Sequence, residues 1–478
     1  MAENKYIVSF DCGNSSFRTI LGVYDGERIE SKVIQQTPNE MIKIGDYYYW
    51  DILKIYSGLL EGLKMVSAEY HIDSIGVCTW GVDFALFDAK GFMLSNPLSY
   101  RNSIGAKTLT ALDERAKEKL FDETGIVCDK INSCYMLKGI RDISPELFEA
   151  ADRLLLIPDI LNYYLTGNMF NEPSELSTTQ LMDAKTKGIS LQACSILNVP
   201  NKLIGRISEH GTSIGGLSKD IREELGINYE VPVISVPSHD TASAVLAVPA
   251  RKEQFAFISS GTWSLIGTEL ESPIINEEVR KHDLTNEVGA FDTITLLKNN
   301  AGMFLIQRLK KEYQQEERRE VDWEELNALG DNAESNDILF DVNDERFFNP
   351  VNMSEALWCY FMDKGLVQGE KDWSVIIRSF VRSMALSYAE TIEKIEKISG
   401  LLFDSIYIIG GGSQNRRLCK ETANLTGRRV VAGGKESTSL GNIMAQIKYF
   451  EPDKSINELR DIVGRSIDVK EYIPLKGE

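Results

Sequence analysis

Four histidines and seven cysteines among 478 residues leave little material for metal or disulfide chemistry. The histidines (His71, His210, His239, His282) are dispersed, so their spacing defines no ligand cluster. The cysteines are odd in number and form no CxxC pair, which argues against a disulfide framework or a zinc site and leaves ordinary buried thiols. Basic residues are also scarce. Lys plus Arg total 52 against 71 for Asp plus Glu, and the formal charge of -19 repels nucleic acid and anionic membrane surfaces. No run approaches the roughly 18 apolar residues of a membrane span, and the opening MAENKYIVSFDCG lacks the basic flank and apolar core of a secretory signal. The expectation is a cytoplasmic protein, monomer or homodimer, with no nucleic-acid or membrane partner.

What is present reads as a mixed α/β chain, long enough for two domains. YIVSF, TILGVY and ERIESKVI alternate like antiparallel strands joined by the loop DCGNSSFR and a DG turn at Asp25-Gly26. Asp51 is placed to cap a helix whose apolar positions Ile52, Ile55, Tyr56, Leu59, Leu60, Leu63 and Val66 fall three and four apart. That helix leads into the strand SIGVCTW, and the combination predicts an α/β domain. From Gln254 the pattern returns: FAFI, the loop SSGTWS, then LIGTEL. A helix carrying Ile377, Phe380, Met384, Tyr388, Ile392 and Ile395 stops at Gly400, and SIYII and GGGSQN follow. The halves repeat an architecture and not letters, which predicts two related domains, 1–245 and 246–478. The acidic stretch from Lys311 to Glu345 reads as a solvated helix and loop.

Three loops carry candidate chemistry. In Asp11-Cys12-Gly13-Asn14-Ser15-Ser16-Phe17-Arg18, backbone N–H groups can converge on an anion, although a polar hairpin turn fits as well. The terminal lysine of a P-loop is missing. Asp11 could face a phosphate-bound Mg²⁺, a hard cation that prefers carboxylate and water oxygens. Ser259-Ser260-Gly261-Thr262-Trp263-Ser264 has the same character, and two such loops at corresponding places suit a triphosphate held from both sides. Gly410-Gly411-Gly412-Ser413-Gln414-Asn415 lets the backbone approach a flat ligand, or simply turns a strand into a helix. Finally, VPSHDTASAV sets Asp240 among Ser238, Thr241, Ala242 and Ser243; a carboxylate there either accepts a proton from a substrate hydroxyl or caps the helix that follows.

The set DCGNSSFR, TWGVDF, SHDTASAV, SSGTWSLIG, GGGSQN and ESTSLGN, in this order over nearly the whole chain, resembles the FGGY carbohydrate kinases. The resemblance implies a two-domain actin-like, ribonuclease-H-like α/β fold with the active site in the interdomain cleft. The first domain would carry the sugar side and first phosphate loop, the second domain the second loop and the adenosine side. It implies Asp240 as the catalytic base, which activates and orients a sugar hydroxyl that is otherwise a poor nucleophile. Asn14, Ser15, Ser16, Phe17 and Arg18 then match the first ATP-phosphate loop. Thr262, Gln307, Gly410, Gly411 and Gly412 match nucleotide contacts, and Gly81 and Asn299 sugar contacts. His239 and Thr241 can bond further sugar hydroxyls, Trp80 offers an apolar wall or core packing, Asp83 a hydroxyl acceptor, and Glu287 is a further pocket candidate. The implied reaction uses ATP and Mg²⁺, with Asp11 near the metal through water. Its implied product is the 1-phosphate of a 6-deoxy-L-ketohexose, L-rhamnulose ahead of L-fuculose; a non-catalytic sugar or nucleotide sensor on the same fold is the alternative. One departure stands out: Phe17 occupies a position that is glycine in the family pattern. A bulky residue does not adopt a glycine-only backbone, so either that position is not left-handed here or the loop has shifted.

Overall fold

The computed structural model describes residues 4–250, 254–331, 338–347 and 350–475. The first three strands, β1 (Lys5–Cys12), β2 (Ser16–Tyr24) and β3 (Ile29–Pro38), form the expected antiparallel meander. Helix α1 (Ile52–Ser67) follows, with the Asp51 carboxylate accepting the Lys54 N–H at 3.1 Å. Its stripe of Ile52, Ile55, Leu59, Leu63 and Val66 is buried in one core with Val8, Phe10 and Cys12 of β1. The chain returns through β4 (Ser74–Thr79), every residue of which is buried, to lie parallel to β1. Short helix α2 (Pro173–Thr178), strands β5 (Thr212–Gly216) and β6 (Pro232–Ser235), and helix α3 (Asp240–Leu246) complete this half, giving a six-stranded sheet in the order β3-β2-β1-β4-β6-β5.

The Phe17 departure resolves inside this sheet. Phe17 pairs with Cys12 in regular antiparallel register, is only 2 % exposed, and does not have a positive φ. Its ring occupies the space above Gly58 of α1, where an added Cβ would lie 2.2 Å from the ring. The bulk gained in the strand is thus matched by a side chain missing from the helix. Gly58→Ala should therefore cost about 1–3 kcal/mol through overpacking, read as a lowered melting temperature.

The later half rebuilds the same plan. Strands β7 (Phe255–Ser260), β8 (Trp263–Leu270), β9 (Thr285–Val288) and β10 (Ile294–Ala301) precede helices α4 (Phe304–Glu317) and α5 (Trp373–Ser399); α5 ends at Gly400, whose φ of 73° permits the left-handed cap. Then come β11 (Ser405–Ile409), helix α6 (Arg416–Thr426), β12 (Arg429–Gly433), helix α7 (Ser437–Phe450) and β13 (Val469–Tyr472). The sheet order is β9-β10-β8-β7-β11-β12-β13. As in the first sheet, a central strand has an antiparallel hairpin partner on one side (β7 with β8) and parallel strands on the other (β7 with β11, β11 with β12).

The two compact units are discontinuous in sequence. One comprises Met1–Arg251, Glu269–Leu296 and Glu436–Ser466; the other comprises Lys252–Thr268, Leu297–Lys435 and Ile467–Glu478. A single cut at 245 describes the chain order, whereas residues 269–296 and helix α7 fold with the first unit. All seven cysteines are free; Cys359 is exposed and Cys128 half-buried, so the buried-thiol expectation describes the other five. In the acidic stretch, α4 and a helix over Trp323–Asp331 are present, while residues 332–337 lie outside the described residues. Among the described residues no helix is long and apolar enough to cross a membrane.

Candidate active site

In the first unit the β1–β2 hairpin is tied down at its turn. The Gly13 N–H donates to Ser16 O at 2.9 Å, and Asn39 donates its backbone N–H to Ser15 O and its Nδ2 to Gly13 O, each at 3.0 Å. Ser15 is exposed, Ser16 accepts from Gln36 Nε2 at 3.2 Å, and the Asn14 Oδ1 is buried without a protein donor. Arg18 pairs with Asp11 across the hairpin and with Glu436 at 2.5 Å, just ahead of α7. Ser439 of α7 donates to Asp11 Oδ2 at 3.5 Å. Burial pushes the Asp11 carboxyl up, Arg18 draws it down and Asp240 adds to the rise, leaving it above the ordinary value. Both Asp11 contacts fall on Oδ2, leaving Oδ1 as one hard oxygen donor. Among the described residues no group of three or more His, Cys, Asp or Glu is arranged to hold a metal by itself. This donor set fits a cation carried mainly by phosphate and water, and does not fit a protein cage.

Asp240 is the first residue of α3, with His239 at the N-cap position, so the alternative reading of Asp240 as the helix cap does not hold. Its side chain, 39 % exposed, meets the Thr241 hydroxyl at 3.2 Å and His239 Nε2 at 3.6 Å. The buried Thr241 hydroxyl is thereby turned toward the carboxylate. The segment is held from three sides. Thr79 N–H donates to Ser238 O at 2.8 Å, the His239 N–H donates to Ser174 Oγ at 3.0 Å, and Thr438 Oγ donates to Asp240 O at 3.4 Å. Helix α7 lies so close to α3 that a Cβ on Gly441 would sit 1.8 Å from Ser243 O. Gly81 approaches the His239 ring: a Cβ there would lie 3.3 Å from Cδ2.

His239 is enclosed between two carboxylates, with Nδ1 3.3 Å from Glu287 and Nε2 facing Asp240. Burial alone would push the imidazole down, but Glu287, Asp240 and Glu172 together raise it to about 9. Because the folded value lies above the unfolded one, this contribution to stability is complete below about pH 6.5 and is lost as pH rises toward about 9. Unfolding in urea across that range should show stability declining in the wild type and a flatter profile in His239→Gln.

Asp83 corrects an expectation. It is 1 % exposed and accepts from Trp50 Nε1 at 2.6 Å, Trp80 Nε1 at 2.9 Å and the Tyr100 N–H at 2.7 Å. Burial pushes its carboxyl up to about 7 against those donors. Buried and accepting from three protein N–H groups, Asp83 orients the two indoles, whose rings lie 4.4 Å apart, and presents no exposed oxygen to a ligand hydroxyl. Trp80, 4 % exposed, packs in the core and is not an open wall.

In the second unit, Thr262 is exposed in the tight turn between β7 and β8. Gly410 has φ 77°, and a Cβ on Gly412 would lie 2.0 Å from Ser260 Oγ, so the protein itself requires both glycines. Gly411 is exposed and has Ser260 O at 3.8 Å as its nearest neighbour, leaving it open to a ligand. Behind the loop, Ser260 and Ser264 share the buried Tyr388 hydroxyl at 3.2 and 2.7 Å. Asn299 is exposed on β10 and Gln307 on α4. The first unit thus gathers Asp11, the Asn14–Arg18 turn, Gly81, His239, Asp240 and Thr241, and the second unit carries Thr262, Asn299, Gln307 and Gly410–Gly412.

Two sequence profiles match this arrangement: the FGGY family of carbohydrate kinases, N-terminal domain, over residues 6–247, and the C-terminal domain of the same family over 256–448. The chain belongs to the FGGY family of carbohydrate kinases. It is 36 % identical to a rhamnulokinase of Bacteroides thetaiotaomicron, over 99 % of this chain and 96 % of that one. A rhamnulokinase of Bacillus subtilis is 32 % identical, over 98 % and 95 %. Among solved structures it superposes on a gluconate kinase from Lactobacillus acidophilus (TM-score 0.82, 14 % identity, 99 % and 94 % covered). It also superposes on Plasmodium falciparum glycerol kinase with ADP (TM-score 0.78, 16 % identity, 98 % and 94 % covered). At these identities the structures establish the two-domain α/β fold. As an FGGY kinase the protein transfers a phosphoryl group from ATP to a carbohydrate.

In this FGGY kinase several residues around the site had no role in the sequence reading. Asn39 braces the first loop, Glu436 and Ser439 engage Arg18 and Asp11, and Ser174 holds the His239 backbone. ESTSLGN was visible as a motif, but its Glu436 and Ser439 meet Arg18 and Asp11 at the opposite end of the chain, and Asn39 sits in a stretch with no motif at all.

Proposed function

We propose that this kinase phosphorylates the 1-hydroxyl of L-rhamnulose, giving L-rhamnulose 1-phosphate and ADP, with Asp240 as general base. The sugar is suggested by relatives named rhamnulokinase at 32–36 % identity over nearly the whole chain. The observation that carries the mechanism is Asp240: it is more than a third open to solvent while the nearby carboxyls Asp11 and Glu175 are buried, and its Oδ1 lies 3.6 Å from His239 Nε2. An exposed carboxylate so placed can take the proton of a sugar hydroxyl. The O1–H bond breaks toward Asp240, the O1–Pγ bond forms, the bond from Pγ to the β,γ-bridging oxygen breaks, and ADP leaves. The proton then passes to solvent.

His239 and Thr241 would bond sugar hydroxyls beside the base, with Gly81 leaving them room, and Asn299 would supply a further sugar contact. Asn14, Ser15, Ser16 and Arg18 would meet the phosphates, and Thr262, Gln307 and Gly411 the nucleotide; Phe17 supports its loop from the core. Mg²⁺, held by the phosphates with Asp11 outside its water shell, would neutralise charge on ATP. Residues 1–245 would supply the sugar side and first phosphate loop, and 246–478 the second loop and adenosine side. A cytoplasmic location agrees with a substrate that is phosphorylated by ATP. Arg18→Ala should raise the KM for ATP by about tenfold while leaving the ketose KM nearly unchanged, because the guanidinium lies on the hairpin and not beside Asp240.

ATP consumption measured with Mg²⁺ on L-rhamnulose, L-fuculose, L-xylulose and D-xylulose tests the reading. A kcat/KM at least about tenfold higher for L-rhamnulose is expected, a margin that one misplaced hydroxyl can set. A preference for L-fuculose would move the specificity and keep the base, and sugar binding without turnover on any ketose would leave a sensor.

A further inference from the structure

The TWGVDF segment holds one residue in a backbone conformation that its own side chain disfavours. Val82 has φ 71°, and the Asp83 N–H donates to Gly81 O at 3.0 Å, so residues 81–83 make a γ-turn of positive φ, the rare and strained form. Gly81, the residue suited to such a backbone, does not have a positive φ. It is glycine for want of space, since an added Cβ would lie 3.1 Å from Thr178 Cγ2 and 3.3 Å from His239 Cδ2. A turn needed only to reverse the chain would carry the glycine at its centre. A β-branched residue persists there only where its surroundings over-determine it.

Those surroundings come from two helix ends in the same unit. The Val82 N–H donates to Thr178 Oγ1 at 3.1 Å, and the hydrogen of that hydroxyl is committed to Glu175 O at 2.7 Å, which leaves its lone pairs for the turn. Ser133 Oγ donates to Val82 O. Both hydroxyls are buried, Thr178 at the last residue of α2 and Ser133 at the first residue of a helix over Ser133–Ile143. The two ends are also tied to each other: Asn132 Nδ2 donates to Thr178 O at 3.2 Å and the Cys134 N–H to Thr179 O at 3.1 Å. Gln180, buried with φ 60°, accepts from the Tyr135 hydroxyl at 2.6 Å and donates to Ile126 O at 2.7 Å. Thr178 therefore has little freedom of its own. With Gly81 O taken by Asp83, and the Val82 N–H and O by the two hydroxyls, the Gly81 N–H is left over. It is half-buried beside the His239 ring and has no partner among the described residues.

Resting on the reading of Gly81 as part of the ketose site, we propose that Thr178 and Ser133 are positioning residues of the kinase: they hold Val82 in its strained turn and so fix the Gly81 N–H as a donor to an oxygen of the ketose. Neither hydroxyl touches the sugar. Their effect passes through the backbone, which is set in its binding geometry before the sugar arrives. Without the clamp Val82 relaxes to negative φ, and the peptide plane that carries the donor turns with it.

The experiment compares wild type, Thr178→Val, Thr178→Ser, Ser133→Ala and Gly81→Ala in KM and kcat on whichever of the four ketoses the wild type turns over best. Thr178→Val should raise the ketose KM about tenfold, the size of one hydrogen bond withdrawn, with kcat within about threefold and the KM for ATP within about twofold. Thr178→Ser keeps the hydroxyl and should restore the ketose KM; Ser133→Ala should move it in the same direction as Thr178→Val, and keeps the test open if that variant does not fold. A double-mutant cycle adds a readout that lost packing would not give. Glycine adopts positive φ without strain, so in a Val82→Gly background Thr178→Val should change the ketose KM by less than about threefold. An unchanged ketose KM in folded Thr178→Val overturns the proposal, and so does an equal rise in both backgrounds. Gly81→Ala separates the two readings: if it too leaves the ketose KM unchanged, Gly81 is not at the sugar, whereas a rise with Gly81→Ala alone leaves the site and removes the clamp. The backbone gives a result that needs no substrate. In a crystal structure of Thr178→Val, Val82 should have left positive φ, and a retained turn overturns the role given to Thr178 even if no ketose is turned over.

Discussion

Asp240→Asn should bind ATP and ketose with near wild-type affinity and turn over at least about a hundredfold more slowly, the usual size of a general-base contribution. The substitution keeps the shape and the Thr241 contact but removes the lone pair that accepts the proton. The two measurements separate cleanly: steady-state kinetics reads kcat, and calorimetric titration reads both ligands. Near wild-type turnover would remove Asp240 from the mechanism, whereas lost binding would indicate that the residue builds the pocket and does not act in the chemical step.

Gly441→Ala carries the second large effect. The new methyl would lie 1.8 Å from Ser243 O and 2.6 Å from its carbonyl carbon, so backbone must move on one side or the other. A cost of about 2–4 kcal/mol is expected. Because Ser243 lies on the helix that begins at Asp240, the displacement should also reduce kcat, which a remote core defect would not do. Gly188→Ala is the control, since its methyl would meet only Thr186 Oγ1 at 3.7 Å. Equal melting temperatures for Gly441→Ala and the control would show that the two helices can part without cost.

Most of the strand plan was readable because each strand and cap is a local pattern. Asp51 capping α1, the meander over residues 5–38 and the Gly400 stop each depend on neighbours a few positions away. The loops were legible for the same reason, and the family motifs placed them in order. Asp83 was misread because nothing local announces that Trp50, Trp80 and Tyr100 will converge on one carboxylate. Asp240 was given a capping option that the helix phase refuses, since His239 takes the N-cap and Asp240 falls inside the first turn. Phe17 looked like damage to a phosphate loop until its partner Gly58 was in view, 41 positions later in the chain. In each case the missing information is a long-range contact between residues that are individually unremarkable.

Helix α7, which braces Asp11, Arg18 and Asp240, belongs to the unit that the chain begins to build at its first strand. During synthesis, therefore, the first unit cannot finish folding when its own early residues leave the ribosome; it must wait until residue 466 has been made. The usual order, in which the N-terminal domain folds first and independently, does not apply here. A nascent chain interrupted before residue 436 would contain the proposed base and the first phosphate loop, yet with Arg18 lacking Glu436 and α3 lacking its supporting helix. The contacts that brace Asp11, Arg18 and Asp240 thus form only after nearly the whole chain has been made.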